Sequence, residues 1–310
     1  MEYRMTTFLL LLMLLGACTF QDEPGVCPFN VRLEYRYAGY AYENRLPVRV
    51  DNLREYLYDG SGKLIQTKEL RGDSITGYQT TLAPGDYTLV VWGNVGNKAA
   101  SSMVATDDNQ WRNSRLVNSP AALKNDLYAN NERLYYGTAA FQVTSTGVLR
   151  QRIYVTHAHA NLKVTVSWRI QHPEWEGLLR MRLCDVPGEY GFWTGQEISA
   201  PNGAGPYTIP YIGESLVNYE TRAAVDYNDD VIGEFITHRF CSDSHPLWSL
   251  YCNGKQVVRE LDLQRYFNKS AIDLDHNVEQ EFHLLIMVED QGIVITEISS
   301  ADWDEGGALG

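Results

Sequence analysis

The chain has 310 residues, 44% of them hydrophobic and 21% charged, which excludes a disordered or collagen-like polymer and leaves room for about two domains. Its 26 Lys and Arg against 39 Asp and Glu give a formal charge of −13, so a cationic phosphate-binding face, and with it nucleic acid as a main partner, is excluded. Twenty Tyr, nine Phe and seven Trp favour strands, and an all-β chain is expected.

The first element is an apolar run from Phe8 to Ala17, too short to span a bilayer and of the length of a signal-peptide core. Leu15-Gly16-Ala17-Cys18 follows, an aliphatic residue and two small ones before a Cys, and this resembles the bacterial lipobox. The resemblance implies a lipoprotein signal peptide over 1–17 and lipidation at Cys18, whose acyl chains would hold the protein on the outer membrane without a transmembrane segment. Residues 18–27 then form a linker, in which Asp22 and Glu23 resemble the acidic surface-export signal of Bacteroidota lipoproteins; a solvated spacer is the plainer reading.

With Cys18 acylated, Cys27, Cys184, Cys241 and Cys252 remain. An exported compartment permits disulfides, and four cysteines allow three pairings. Cys241 and Cys252 are the pair singled out, because they flank the compact segment 242–248; free buried thiols are the other reading. No C-x-x-C spacing occurs, which excludes zinc ribbons and thioredoxin-like redox sites.

Beyond the linker, period-two alternation dominates. Phe29, Val31, Leu33, Tyr35 and Tyr37 alternate with polar residues and predict a half-buried strand. Leu53 to Tyr58 and Lys63 to Glu69 flank Asp59-Gly60-Ser61-Gly62 and predict a hairpin. Pro84-Gly85 feeds a strand through Val90-Val91-Trp92, and a polar, helix-compatible or irregular connection is expected over Asn97 to Asn131. Leu134 to Val143 returns to strand composition, Thr144 to Gly147 reads as a domain junction, and later strands are expected at Val155 to Trp168, Glu281 to Val288 and Gly292 to Ile298. The expected organisation is one β-sandwich over 28–147 and a second over 148–310.

The lipobox, the Leu82-Ala83-Pro84-Gly85-Asp86-Tyr87 turn entering Val90-Val91-Trp92-Gly93-Asn94, the Tyr135-Tyr136-Gly137 element and Thr156-His157-Ala158-His159-Ala160-Asn161-Leu162 occur in one order. Together they resemble the FimB-type fimbrial anchor lipoproteins of Bacteroidota, whose fimbriae are the type V pili. The resemblance is clear to about residue 168 and looser beyond. It implies two tandem transthyretin-like Greek-key β-sandwiches and a surface-exposed, lipid-anchored subunit that attaches the base of a fimbrium to the outer membrane. Such a subunit would terminate or regulate growth through strand-complementation contacts with pilin subunits.

In the polymerising pilins of this family an N-terminal strand is cut away after a basic residue. Here the first basic residue after Cys18 is Arg32, inside the first predicted strand, so that strand is expected to stay. Gly292 to Ile298 would close its own domain or be offered to a neighbour, and the core role is the commoner one.

Smaller features have plain and sharp readings. His157 and His159 would share a strand face as a metal pair, but no third ligand is identifiable and structural or surface histidines are expected. Arg71-Gly72-Asp73 matches an integrin-recognition tripeptide but reads first as a turn, and Asp73-Ser74-Ile75 makes Ser74 a glycosylation candidate. Asp107-Asp108-Asn109 and Asn228-Asp229-Asp230 lack the spacing of an EF-hand loop and read as solvated acidic loops. No zinc-protease helix, nucleophile elbow, phosphate loop or dinucleotide fingerprint is present, so an enzyme is not expected, nor a metal or cofactor. The second functional reading is a surface glycan- or adhesion-ligand-binding lipoprotein, with Tyr190, Phe192 and Trp193 near Trp175 stacking on sugar rings.

Overall fold

The structure is a computed structural model that describes residues 28–39, 42–96, 103–106, 109–172, 177–194, 197–199, 206–270 and 272–297. Cys18, the lipobox, the acidic residues after it, Cys27, Asp107, Asp108, Trp175 and the C-terminal tail lie outside these residues.

Two β-sandwiches follow each other along the chain. In the first, β2 (Asn52–Asp59), β3 (Leu64–Arg71), β5 (Gly85–Gly93) and β8 (Tyr135–Val143) form the sheet β3-β2-β5-β8. Opposite it lie β9 (Leu149–His157), β1 (Val31–Tyr37) and β4 (Gly77–Thr80), in the order β9-β1-β4. The sheets meet at one corner, where β8 and β9 pair only through Tyr135 with His157 and Tyr136 with Thr156. Gly137 sits at this corner, and a Cβ there would come within 2.6 Å of the Tyr154 carbonyl oxygen. Val31, Leu33, Tyr35, Leu53, Leu57, Leu89, Val91 and Ile153 fill the space between the sheets.

The expected hairpin is β2–β3, and Asp59 Oδ1 holds its turn by accepting from the backbone of Ser61 at 2.9 Å and Lys63 at 3.1 Å. The run Leu89 to Trp92 is apolar at every position because β5 is buried on both faces. Leu89 and Val91 face the sandwich core, while Val90 and Trp92 face a second cluster under β6 (Met103–Thr106) and β7 (Arg115–Asn118).

That cover corrects the expected irregular or helical connection over Asn97 to Asn131. Its described part contains two strands, which form a three-stranded sheet with β12 (Glu189–Gly191). β6 and β7 pair with each other as four-residue strands, Met103 and Leu116 hold them down, and the third strand, β12, lies far along the chain, so the local pattern that announces them is weak.

In the second sandwich, β16 (Ala224–Val225), β17 (Val231–His238), β10 (His159–Trp168), β20 (Glu281–Glu289) and β21 (Gly292–Glu297) form one sheet in the order β16-β17-β10-β20-β21. The other is β15-β11-β18-β19, built from β15 (Leu216–Arg222), β11 (Leu179–Pro187), β18 (Leu247–Cys252) and β19 (Lys255–Asp262). Leu162, Val164, Val166, Met181, Leu183, Trp248, Leu250, Phe282 and Leu284 pack between them. Each sandwich contains a parallel pair linking an early and a late strand, β1 with β9 and β10 with β20. The chain is all-β, as expected.

The junction expected at 147/148 is a turn between two strands of the first sandwich, since β9 continues its sheet to His157. The chain changes sandwich at Ala158, one residue long and inside what reads as an uninterrupted strand. No break shows in the sequence here because every residue from Val155 to Leu162 is buried, whichever sheet it belongs to.

Candidate functional site

Two regions bear on function, the joint around Ala158 and the free edges of the sheets. At the joint, the Leu134 carbonyl accepts from the Ala158 amide at 2.9 Å and from His159 Nδ1 at 2.7 Å. A carbonyl only accepts, so His159 Nδ1 carries a proton, and in that tautomer the lone pair is at Nε2. The Tyr190 hydroxyl donates to the Ala158 carbonyl and accepts from the Arg239 amide at 2.6 Å.

Arg239 is fully buried, and its guanidinium donates to the carbonyls of His157 and Leu274, each at 3.2 Å, and to the carbonyl and side-chain oxygen of Asn277. Burial pulls its pKa down to about 10. One cation thus bridges the last residue of the first sandwich to the 274–277 segment of the second. Gln280 completes the clamp, accepting from the Phe240 amide and donating to its carbonyl, both at 2.7 Å.

Beside it, the Tyr219 hydroxyl accepts from Asn131 at 2.7 Å and Asn118 at 3.1 Å, which leaves its proton for His238 Nδ1 at 2.9 Å. His238 is neutral, burial having pushed its pKa down to about 3.

His157 and His159, expected as structural or surface histidines, are both fully buried. Their rings stack with centroids 4.4 Å apart, and Glu281, at the start of β20, lies beside both. Glu281 is the residue that sequence reasoning missed: it stands 122 positions from His159, and only the parallel pairing of β10 with β20, which sets Asn161 opposite Glu281, brings it there. Burial pushes the Glu281 carboxyl up, but the neighbouring His159 imidazole, with Asn161 and Arg133, more than offsets this and holds it below the usual range. Burial, followed by the neighbouring His159 and arginine charges, holds His157 well below the ordinary imidazole value.

Among the edges, β1 is not free: it is paired on one side with β9 and on the other with β4. Arg32 therefore lies within a doubly paired strand, its side chain beside Glu34, which Arg150 and Arg152 also contact. Among the described residues β21 is an edge strand, paired only with β20. Ile293 and Ile295 pack against the second core, while Val294 faces outward. In this structure the C-terminal strand closes its own domain.

The remaining candidates are distributed over the surface and cores. Among the described residues Cys184, Cys241 and Cys252 form no disulfide, which corrects the Cys241–Cys252 pairing. Arg71, Gly72 and Asp73 form an exposed turn, with Arg71 held by Glu69 at 2.6 Å. The Ser74 hydroxyl is already engaged, accepting from the Arg71 amide at 3.0 Å and donating to its carbonyl at 2.7 Å. Asn228 to Asp230 is a turn capped by Asp226. The sugar-stacking cluster is corrected: Tyr190 and Phe192 are buried against Trp92 under the β12-β7-β6 sheet, and Trp193 stacks on Tyr211 beneath Arg115.

A sequence model of the fimbrillin-A associated anchor proteins Mfa1 and Mfa2 matches residues 23–306. Curated protein sequences give no match. Among solved structures, the chain is similar to the fimbrial anchor protein Mfa2 from Porphyromonas gingivalis, at 15% identity and a TM-score of 0.63, over 86% of this chain and 94% of that one. A Bacteroides thetaiotaomicron protein described as a candidate polysaccharide-binding protein aligns at 13% identity and a TM-score of 0.63, over 87% and 98% of the two chains. A candidate adhesin from the same organism aligns at 16% and 0.60, over 87% and 96%. At these identities the structural likeness speaks for the fold.

Proposed function

The chain belongs to the fimbrillin-A associated anchor protein family, and from that premise we propose that it is the outer-membrane base subunit of a fimbrium, held by acyl chains on Cys18. The observation that carries this reading is the family match over 23–306, beginning just after the lipobox and continuing through both sandwiches. The protein is a structural subunit, not an enzyme.

Growth would stop or start at this subunit because its own N-terminal strand is retained. A pilin whose first strand is removed exposes a groove that a neighbour's strand fills by adding ladder hydrogen bonds. Here β1 is paired on both sides, and cutting at Arg32 would separate the lipid from the body. The contact with the first pilin then uses a strand edge that remains open, and β21 is the one nearest the C-terminus.

Mass spectrometry of the mature N-terminus tests both halves of the proposal. The expected species begins at an acylated Cys18 and retains residues through Arg32. A chain starting near residue 33, or an unmodified Cys18, would overturn it. In cells, Cys18→Ala should release the protein, and fimbriae with it, into the medium; fimbriae that stay attached would count against the anchor role.

A further inference from the structure

His157 Nδ1 and His159 Nε2 are buried nitrogens with no hydrogen-bond partner, and both lie close to one oxygen. Glu281 Oε1 lies 3.6 Å from the first and 3.8 Å from the second, too far for a hydrogen bond and too near for an empty space to hold anything but a small ion or a proton. All three ligand atoms lie within 4.8 Å of one another.

We propose that His157, His159 and Glu281 bind a divalent transition-metal ion of the zinc class at the joint between the sandwiches. Two imidazole nitrogens and one carboxylate oxygen are a donor set of borderline softness, suited to zinc and poorly suited to calcium or magnesium. Metal bonds of about 2.1 Å in tetrahedral array need ligand atoms about 3.4 Å apart, so the separations to Glu281 are a few tenths of an ångström wide. Closing them also turns the two rings out of their 20° stack so that their lone pairs converge.

The surroundings are built as metal sites are built. The Leu134 carbonyl takes the Nδ1 proton of His159 at 2.7 Å and so fixes Nε2 as the free lone pair. Asn161 donates to Glu281 Oε2 at 2.7 Å, which orients the carboxylate and leaves Oε1 for the ion. The His-Ala-His spacing puts one ligand on each sandwich, at the end of β9 and the start of β10, and Glu281 on β20 is the third.

Three nearby arginines, Arg49, Arg133 and Arg239, oppose the ion by charge, and Arg49 also by a hydrogen bond. Arg49 Nη1 lies 3.2 Å from His157 Nε2 and, being a donor only, holds the His157 proton on Nδ1. Metal binding moves that proton to Nε2 and turns Arg49 away, toward Glu279 at 3.0 Å, where it already has a partner. Arg49 is therefore a built-in competitor, and its removal should tighten binding.

The test is calorimetric titration of Zn²⁺ into the untagged, chelator-treated full chain in detergent, with the Co²⁺ absorption spectrum of the same unmodified chain as a reading that needs no variant. One equivalent should bind, with a tetrahedral Co²⁺ spectrum. Asn161→Ala should weaken binding about 10–100-fold, His159→Gln and Glu281→Gln should abolish the equivalent, Arg49→Gln should strengthen it, and His276→Gln, at an exposed histidine, should change nothing. Absence of saturable binding, an octahedral Co²⁺ spectrum, or affinity unchanged in His159→Gln and Glu281→Gln would overturn the proposal.

Discussion

The core of the second sandwich and the joint beside it are equally buried and chemically opposite. Between the sheets lie Leu162, Val164, Met181, Trp248, Leu250 and Phe282, whose contacts are non-directional and tolerate any neighbour of the right volume. Around Ala158 lie Arg239, His157, His159, His238, Asn131 and Gln280, whose partners are fixed atom by atom. The cores make each sandwich stable, and the polar joint makes one orientation between them specific, because a slipped orientation would strand a buried guanidinium and three imidazoles.

The largest expected effect lies in the core. Trp248→Ala should cost about 3–5 kcal/mol in chemical denaturation, as a large buried side chain leaves a cavity. At the joint, Arg239→Met keeps the stem but removes the donors to His157, Leu274 and Asn277. Each lost bond costs about 1 kcal/mol, partly offset by the released desolvation of the charge, for a net loss of about 2 kcal/mol. The decisive readout is cooperativity: the variant should unfold in two transitions where the parent shows one. A single transition of unchanged midpoint would mean that apolar contact, not the polar clamp, couples the sandwiches.

The joint should also be the acid-sensitive region. His238 is neutral in the fold with its pKa near 3, while in the unfolded chain it titrates near 6.5. The unfolded state therefore binds the extra proton, and stability falls as pH drops from about 6.5 toward 3, at about 1.4 kcal/mol per pH unit for this one group. His238→Gln should flatten that slope in urea denaturation series at several pH values, leaving the stability above pH 7 less changed than the stability at pH 5.

How far the sequence discloses this division follows from its physics. Alternation reports which side of a strand meets apolar matter, so β1, the β2–β3 hairpin, β5, β8, β20 and β21 are legible from their own residues. Alternation does not report which sheet a strand joins, so the sandwich boundary reads as 147/148 when it lies at Ala158, and β6 and β7 read as irregular because their cover comes from Tyr190 and Phe192. The two histidines are visible as a pair at strand spacing, whereas Glu281 is not, since no local pattern encodes a parallel register across 122 residues. The Cys241–Cys252 pairing fails for a related reason: closeness in sequence says nothing once an extended strand intervenes.

The first sandwich contains one polar group that sharpens the contrast. Glu55, on β2, is buried and takes hydrogen bonds from the Tyr35 hydroxyl and, at 2.8 Å, from the Tyr78 hydroxyl. Burial raises its pKa; the two tyrosine hydrogen bonds and the Lys68 charge pull the other way without overcoming it. The sign is opposite to that of His238. A carboxyl with a raised folded pKa contributes stability that is fully present below its unfolded value of about 4.3 and is lost as pH rises through the folded value. Glu55→Gln should therefore remove a decline that the parent shows on going from acid toward neutral pH, with little change, about 0.5 kcal/mol, near pH 4, where both side chains are neutral. Measured beside His238→Gln, it separates the two regions by the direction of their pH slopes. If both variants flattened the same limb, Glu55 would be ionised at no cost within the sheets, and the first sandwich would have to be grouped with the joint as a buried polar interior.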